Sequence, residues 1–550
     1  MTLKKTVIIP VVIIAVALSI FLYLKFRKST DFEPLIKDKL VALVSKATNG
    51  LYILSIGTIE VDVLGSTVKA TGISMMPDSA RMAALDSARL LPDDIFNLTV
   101  NNLVITGLSA TDFIDKDNIN ANQLLLNAPN VRIIHNKRNY NEPATDTSNL
   151  YERIAGNHTS YSLKSLLLKD AHITYSNLNG KKKETVFEKV TITMDDILVN
   201  AETAKDSSRF LFAKDATLFL KDYKSVSADK NYDFTVDSLA VKPGKKTLLA
   251  SKIKYSPRLS KAAFGKAAGE MKDRYDLYFN EITASDIDWW SLLANDGMWA
   301  EAVSLDGGYL NVYLDRRLPP PTQTKVGKYP HQMIMKMDMP VNLRQLNIRG
   351  LDIKYEEVNP KSGQTGTITF NNTRGQVKNI TNMPDAINKN QLMTANAETA
   401  FMNEGKLSAD FSFNLALANN GNFKVIANMG PMNGIQFNEV TEALAMVRIN
   451  KMQLQQLDAT VTGNNKEGIG TTKLQYKDLK IAALKKDEED GGLKKKGLLS
   501  FIANTFVVRK DGPTPAKAYE TRYERDPYRS FFNTVWQPIS MGIVKSVKGK

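Results

Sequence analysis

The chain contains no cysteine. Disulfides, thiol catalysis and Cys-ligated zinc or iron–sulfur clusters are thereby excluded. The compartment is not set by this, because a protein outside the cytoplasm need not use disulfides. Histidine is nearly as scarce: His135, His158, His172 and His331 are the only four. No two of them share a metal-ligand spacing, and HExxH is missing. There is no GxSxG elbow, no Walker phosphate loop and no paired CxxC. Adjacent or alternating acids occur at Asp195-Asp196 and at Asp286 and Asp288, but such pairs ordinarily face solvent. Gly307-Gly308, ahead of the run YLNVYL, reads as a turn or bulge rather than a nucleotide loop. These residues mark no catalytic, cofactor-binding or metal site, and the expectation is a protein that is not an enzyme. An enzyme built on this chain would need acids brought together from distant strands.

Glycine (31) and proline (20) are too few for a fibrous or low-complexity chain, and 43% hydrophobic with 24% charged residues is the composition of a folded one. At 550 residues it can bury a large core, in more than one domain or in one array. The formal net charge is +14, which fits nucleic acid, an anionic lipid surface or plain solubility. The basic residues are spread out, apart from Lys181 to Lys183 and Lys494 to Lys496. With no zinc finger, helix-turn-helix or aromatic–basic platform, no nucleic-acid partner is expected.

Long hydrophobic runs are confined to one. VIIPVVIIAVALSIFLYL, from Val7 to Leu24, carries no charge and with its flanks is long enough for a hydrocarbon core of about 30 Å. Pro10 sits in the first turns, where a missing donor costs least. The reading is a transmembrane anchor with Val7, Ile14, Leu18, Phe21 and Leu24 in its apolar body. The alternative is a cleaved signal peptide; against it, the run continues straight into Lys25, Arg27 and Lys28 with no small-x-small site. Lys4 and Lys5 on the other flank leave the positive-inside rule nearly balanced, so charge does not orient the segment. A short amphipathic helix follows, with Leu35, Ile36, Leu40, Leu43 and Val44 at helical spacing and Asn49-Gly50 as its stop.

Beyond Gly50 the period changes from helix to strand. TIEVDVLGSTVKATGISM puts Ile59, Val61 and Val63 on one face, and similar half-apolar segments recur to about residue 484. A looser repeat lies within them. SLKSLLLKDAHITYSN places Leu163, Leu166, Leu168, Ala171, Ile173 and Tyr175; NLRQLNIRGLDIKYEE places Leu343, Leu346, Ile348, Leu351, Ile353 and Tyr355 at the same offsets. INANQLLLNAPNVRII has a related shape. Each is a short strand, a small or kinked step, and a second strand, as expected for strands adding one after another to a sheet. The fold class expected is mainly β: an elongated, curved antiparallel sheet or groove with a few short helices, plus the N-terminal membrane helix. Ile59, Val61, Val63, Leu346, Ile348 and Ile353 are candidate lipid-facing positions. Alternation is the same whether another sheet or a ligand covers the apolar face.

Helical candidates are Ser79 to Leu91 and Ile287 to Ala300, the latter with Trp289, Trp290 and Trp299. Arg316 to Lys328 reads as an exposed loop and as the internal boundary. The expected division is 1–29 anchor, 30–315 N-terminal β-rich region, 316–330 loop, 331–484 C-terminal β-rich region, and 485–550 basic linker with an amphipathic tail. In that tail Phe531, Val535, Ile539, Ile543 and Val547 recur every fourth residue, and Phe532 and Trp536 widen the stripe. Such a helix docks on the domain or lies in an anionic membrane surface. Pro538 is expected to kink or split it.

The order of these segments resembles the AsmA-like proteins of the AsmA/TamB group, in the forms found in Bacteroidota. The anchor Val7 to Leu24, the helix Leu35 to Ala47, IGTIEVDVLGSTVKATGISM, GLSATDFIDKDNINANQLLLNAPNVRII, KLSADFSFNLALANNGNFKVIANMGPM and SFFNTVWQPISMGI carry the resemblance. It implies a single-pass inner-membrane protein with its large domain in the periplasm and a role in outer-envelope homeostasis. Larger relatives are thought to carry phospholipid in hydrophobic grooves, and this chain is much shorter than those bridges. Membrane phospholipid and envelope proteins are the partners it implies. The leading expectation is therefore a lipid-shielding or lipid-transferring envelope protein, and the other is a scaffold that binds envelope proteins through its tail.

Overall fold

The computed structural model describes residues 37–38, 40–42, 44–45, 48–62, 65–107, 118–141, 160–179, 183–206, 208–294, 297–487, 492–495 and 508–549. The chain divides into two compact units. The first comprises residues up to 225 with 236–250 and 286–297; the second comprises 226–235, 251–285 and 298–550. The loop 316–330 lies inside the second unit.

In the first unit the chain runs through β1 (Tyr52–Ser55), β2 (Thr58–Asp62), β3 (Thr67–Pro77), helix α1 (Ser79–Ser87), β4 (Asp94–Thr106), β5 (Asn118–Asn127), β6 (Asn130–His135), β7 (Ser160–Asn177), β8 (Lys183–Val199) and β9 (Ala213–Val226). α1 starts where the Asp78 carboxylate accepts from the amides of Ala80 and Arg81. β5 and β6 behave as one strand broken at Ala128-Pro129. Both pair with β4 on one side and with β7 on the other. One apolar cluster runs through the unit, from Leu40 and Val44 through Ile59, Leu126, Leu166 and Leu168 to Leu220.

β10 (Tyr232–Lys242) and β11 (Thr247–Pro257) follow, then helix α2 (Lys261–Ala268), β12 (Arg274–Ser285) and helix α3 (Trp289–Ala294). The second unit continues with β13 (Met298–Asp315), helix α4 (Pro330–Met335), β14 (Val341–Val358), β15 (Thr365–Thr381), helix α5 (Pro384–Lys389), β16 (Leu392–Phe401), β17 (Gly405–Asn414) and β18 (Phe423–Met429). After β19 (Met432–Asn433) come β20 (Val447–Gly463), β21 (Glu467–Lys486), β22 (Leu493–Lys495), β23 (Ala518–Glu524) and helix α6 (Phe531–Lys548). Within this unit β12 to β18 pair each with the next, β18 pairs with β20, and β20 with β21. β23 closes on β21.

The internal repeat has a backbone counterpart. β5/β6, β7 and β14 each carry a left-handed residue at the equivalent step: Ala128, Asp170 and Gly350. β7 and β14 both show a register shift there against the next strand. An extra residue in the strand would turn every later side chain to the other face; the bulge absorbs it, and the apolar residues keep one face on both sides of the step. Gly307-Gly308 in β13 also takes positive φ, +63° and +128°, without a shift of register against β12 or β14. A Cβ at Gly308 would lie 2.0 Å from the Tyr278 carbonyl oxygen, so only glycine fits.

Four expectations are corrected. Among the described residues no helix is long and apolar enough to cross a membrane. The anchor segment with Val7, Ile14, Leu18, Phe21 and Leu24 lies outside the described residues. The membrane helix in the fold class, and the single-pass inner-membrane placement with a periplasmic domain, therefore have no counterpart in the described structure. Second, the sheet is mostly but not wholly antiparallel: β5 and β6 pair with β7, and β13 with β14, in parallel. The connection from β13 to β14, residues 316–340, is long enough to return the chain to the starting end, as a parallel pair requires. Third, the Ile287 to Ala300 helix shrinks to α3, and Trp299 stands in β13, because Gly297 takes φ +150° between them. Fourth, Pro538 lies inside the unbroken span of α6.

Candidate apolar binding face

The cross-strand register of the second unit lines up apolar residues in rows. One row reads Ala284, Val303, Leu346, Val377, Ala395, Phe411, Val425 and Val461 from β12 to β20. A second reads Ile282, Leu305, Ile348, Gly375, Ala397, Ala409, Ala427 and Ala459. Past the bulges a third reads Leu277, Leu310, Ile353, Phe370 and Phe401. Alternation makes the other face polar: Gln345 donates to Asn347, and the Asn347 amide donates to Ser304.

Cover along the first row is uneven. At its β18 and β20 end Val425 and Val461 are buried in a cluster with Phe531, Val535 and Ile539 of α6. At its β13 and β14 end Val303 and Leu346 are only half-buried, as are Leu305, Ile348, Leu310 and Ile353. The repeat supplies an internal comparison. Leu166, Leu168 and Ile173 of β7 hold the positions of Leu346, Ile348 and Ile353, and are exposed by 1%, 2% and 1%. The same sequence pattern is thus sealed in the first unit and open in the second.

Two clusters in this unit bury polar groups. In one, Tyr329, His331 and Gln332, in and before α4, are buried with Phe413 and Phe423. The Tyr329 hydroxyl donates to the Asn464 carbonyl oxygen at 3.1 Å and lies 3.1 Å from the Thr534 hydroxyl. In the other, the last residues of β14 include Tyr355 and the buried carboxylate Glu357. Glu357 accepts from Arg316 (2.9 Å), Arg529 (2.8 Å) and the Tyr355 hydroxyl (2.8 Å). Burial alone would raise the Glu357 carboxyl, but Arg529, Tyr355 and Arg316 outweigh it and hold it below the ordinary carboxylate range. Burial, then the Glu357 charge, pushes the Tyr355 phenol up.

α6 is held onto this unit in two ways. Its small residues Thr534, Pro538, Gly542 and Ser546 are buried, and three of them meet Gly468, Gly470 and Thr472 of β21. A Cβ on Gly542 would lie 2.5 Å from Thr472 Cβ, and one on Gly470 2.8 Å from Pro538 Cβ. The Thr521 hydroxyl donates to the Pro538 carbonyl at 2.7 Å. The segment leading into the helix is latched separately: Arg525 donates to the Lys325 carbonyl (2.7 Å) and lies 4.1 Å over the Tyr329 ring, while Arg529 holds Glu357.

The expected site residues thus separate. Ile59 is buried in the first unit's core and Val61 packs against it, while Val63 lies outside the described residues. Leu346, Ile348 and Ile353 come together on the open face. Phe531, Val535 and Ile539 turn inward, Ile543 is half-buried, and Phe532 and Trp536 turn outward.

No protein-family model matches the chain, and no curated protein matches it. The AsmA-like resemblance has no support from either comparison. The Glu357 cluster was not anticipated. Its members stand 41 and 172 residues apart, and nothing in local spacing marks them.

Proposed function

We propose that the second unit shields the acyl chains of a phospholipid on the half-exposed face of β12 to β16, without covalent chemistry. One observation carries this reading: Leu346, Ile348 and Ile353 are left half-buried where their repeat counterparts Leu166, Leu168 and Ile173 are sealed. Apolar area left in contact with water costs about 25 cal/mol per Å², and an acyl chain laid along the rows gains about 0.8 kcal/mol per CH₂. The rows offer several strands' width of side chains without a polar interruption.

The test is native mass spectrometry with lipid extraction on the full chain purified in mild detergent. Phospholipid retained at about one per chain, and lost in a Leu346→Glu/Ile348→Glu variant that still unfolds cooperatively, is the expected result. A folded wild-type chain free of lipid after incubation with phospholipid vesicles contradicts the reading.

A further inference from the structure

α6 has eighteen residues, none acidic, and its only charges are Lys545 and Lys548 in the last turn. Asn533, Gln537 and Ser540 interrupt its apolar surface, and the rest of the unit covers only one side of it. Phe531, Val535 and Ile539 enter the core, and Thr534, Pro538 and Gly542 are buried, the latter against β21. The outward stripe keeps Phe532 exposed by 64%, Trp536 by 48% and Val544 by 44%, with Met541 beside them. From ring and side-chain sizes this amounts to an apolar patch on the order of 300 Å², the size of the largest patch on an ordinary monomer, which is often functional.

We infer that the outward face of α6 docks on the surface of an anionic phospholipid bilayer. Three observations choose this occupant over a protein. Phe532 and Trp536, one turn apart, place two aromatic rings at the interfacial depth such rings favour. No carboxylate on the helix repels an anionic surface. Basic side chains gather at its C-terminal end: Lys545 donates to the Glu520 carbonyl and Arg509 to the Gly549 carbonyl, so both are held beside Lys548. The surface is distinct from the half-exposed sheet face, and docking does not depend on that face holding a ligand.

The absence of cysteine permits a direct test on the full chain. Ser540→Cys and Val544→Cys place a nitrobenzoxadiazole label on the outward stripe; Asp410→Cys places one on the opposite face of the sheet. Each is mixed with vesicles of phosphatidylcholine and phosphatidylglycerol in equal parts, carrying doxyl-lipid quencher. Quenching at 540 and 544 at least roughly threefold above that at 410 is expected, falling with added salt, in pure phosphatidylcholine, and in a Phe532→Ser/Trp536→Ser background. Equal quenching at all three sites means that another segment merely holds the protein near the bilayer, and overturns the inference. So does no quenching at 540 and 544, or self-quenching between labels that dilution relieves, which would assign the face to a second copy. If the double variant unfolds, the comparison of 540 and 544 with 410 still decides.

Discussion

His331 stands at 0% exposure with hydrogen-bond partners for neither ring nitrogen, between the rings of Tyr329 and Phe413. Burial pushes it down to about 4 from an ordinary value of 6.5. The folded state therefore holds the neutral imidazole, while the unfolded chain takes up a proton below about 6.5. Stability is complete above that value and is lost as pH falls towards 4, by about 2 kcal/mol at pH 5. Urea unfolding at pH 7.5 and pH 5 should show this loss in wild type and lack it in His331→Phe; an equal loss in both would remove His331 as the cause. Glu357 is the opposite case in charge, a buried anion held by two guanidiniums, but its carboxyl is also lowered, so its contribution too is lost as pH falls. Arg529→Met leaves that charge with only the more exposed Arg316 and the Tyr355 hydroxyl and should cost about 1.5–3 kcal/mol by urea unfolding, whereas replacing Glu357 and Arg529 together by Gln and Met should cost less. Neither residue was legible beforehand. His331 was only one of four scattered histidines, and the contacts of Glu357 come from a loop and a tail far away in sequence.

The strands, by contrast, were legible as elements. Period-two alternation locates them, and the kinked step in the repeat around Leu166 and Leu346 falls on the left-handed residues Asp170 of β7 and Gly350 of β14. The C-terminal helix was legible from its four-residue spacing. Its seating was not, because the stripe that touches β21 is made of Thr534, Pro538, Gly542 and Ser546, which carry no hydrophobic signal. Proline inside the helix suggested a break; the close approach to Gly468 and Gly470 and the Thr521 bond hold it instead. Gly542→Leu should force α6 off β21 and destabilise the unit by roughly 1–3 kcal/mol, while Ser540→Leu, two residues earlier on the half-exposed side, should change little. Parallel pairing of β13 with β14 was also missed, since alternation is blind to strand direction.

For the molecule as a whole, the alternation that predicted half-buried strands said nothing about what covers each face. β7 and β14 answer differently with nearly the same pattern. Leu168 is sealed in the core of its unit, and Ile348 is left half-buried beside a face that α6 covers only at its far end. Acyl-chain shielding rests on that difference. Its most direct test is a photoreactive benzoylphenylalanine placed at Ile348 and, separately, at Leu168 in the full chain, irradiated with phospholipid vesicles and read by mass spectrometry. Adducts on the acyl chain at 348 with none at 168 are the predicted result. Absence of adduct at 348 in a folded chain, or equal adduct at both positions, would contradict it.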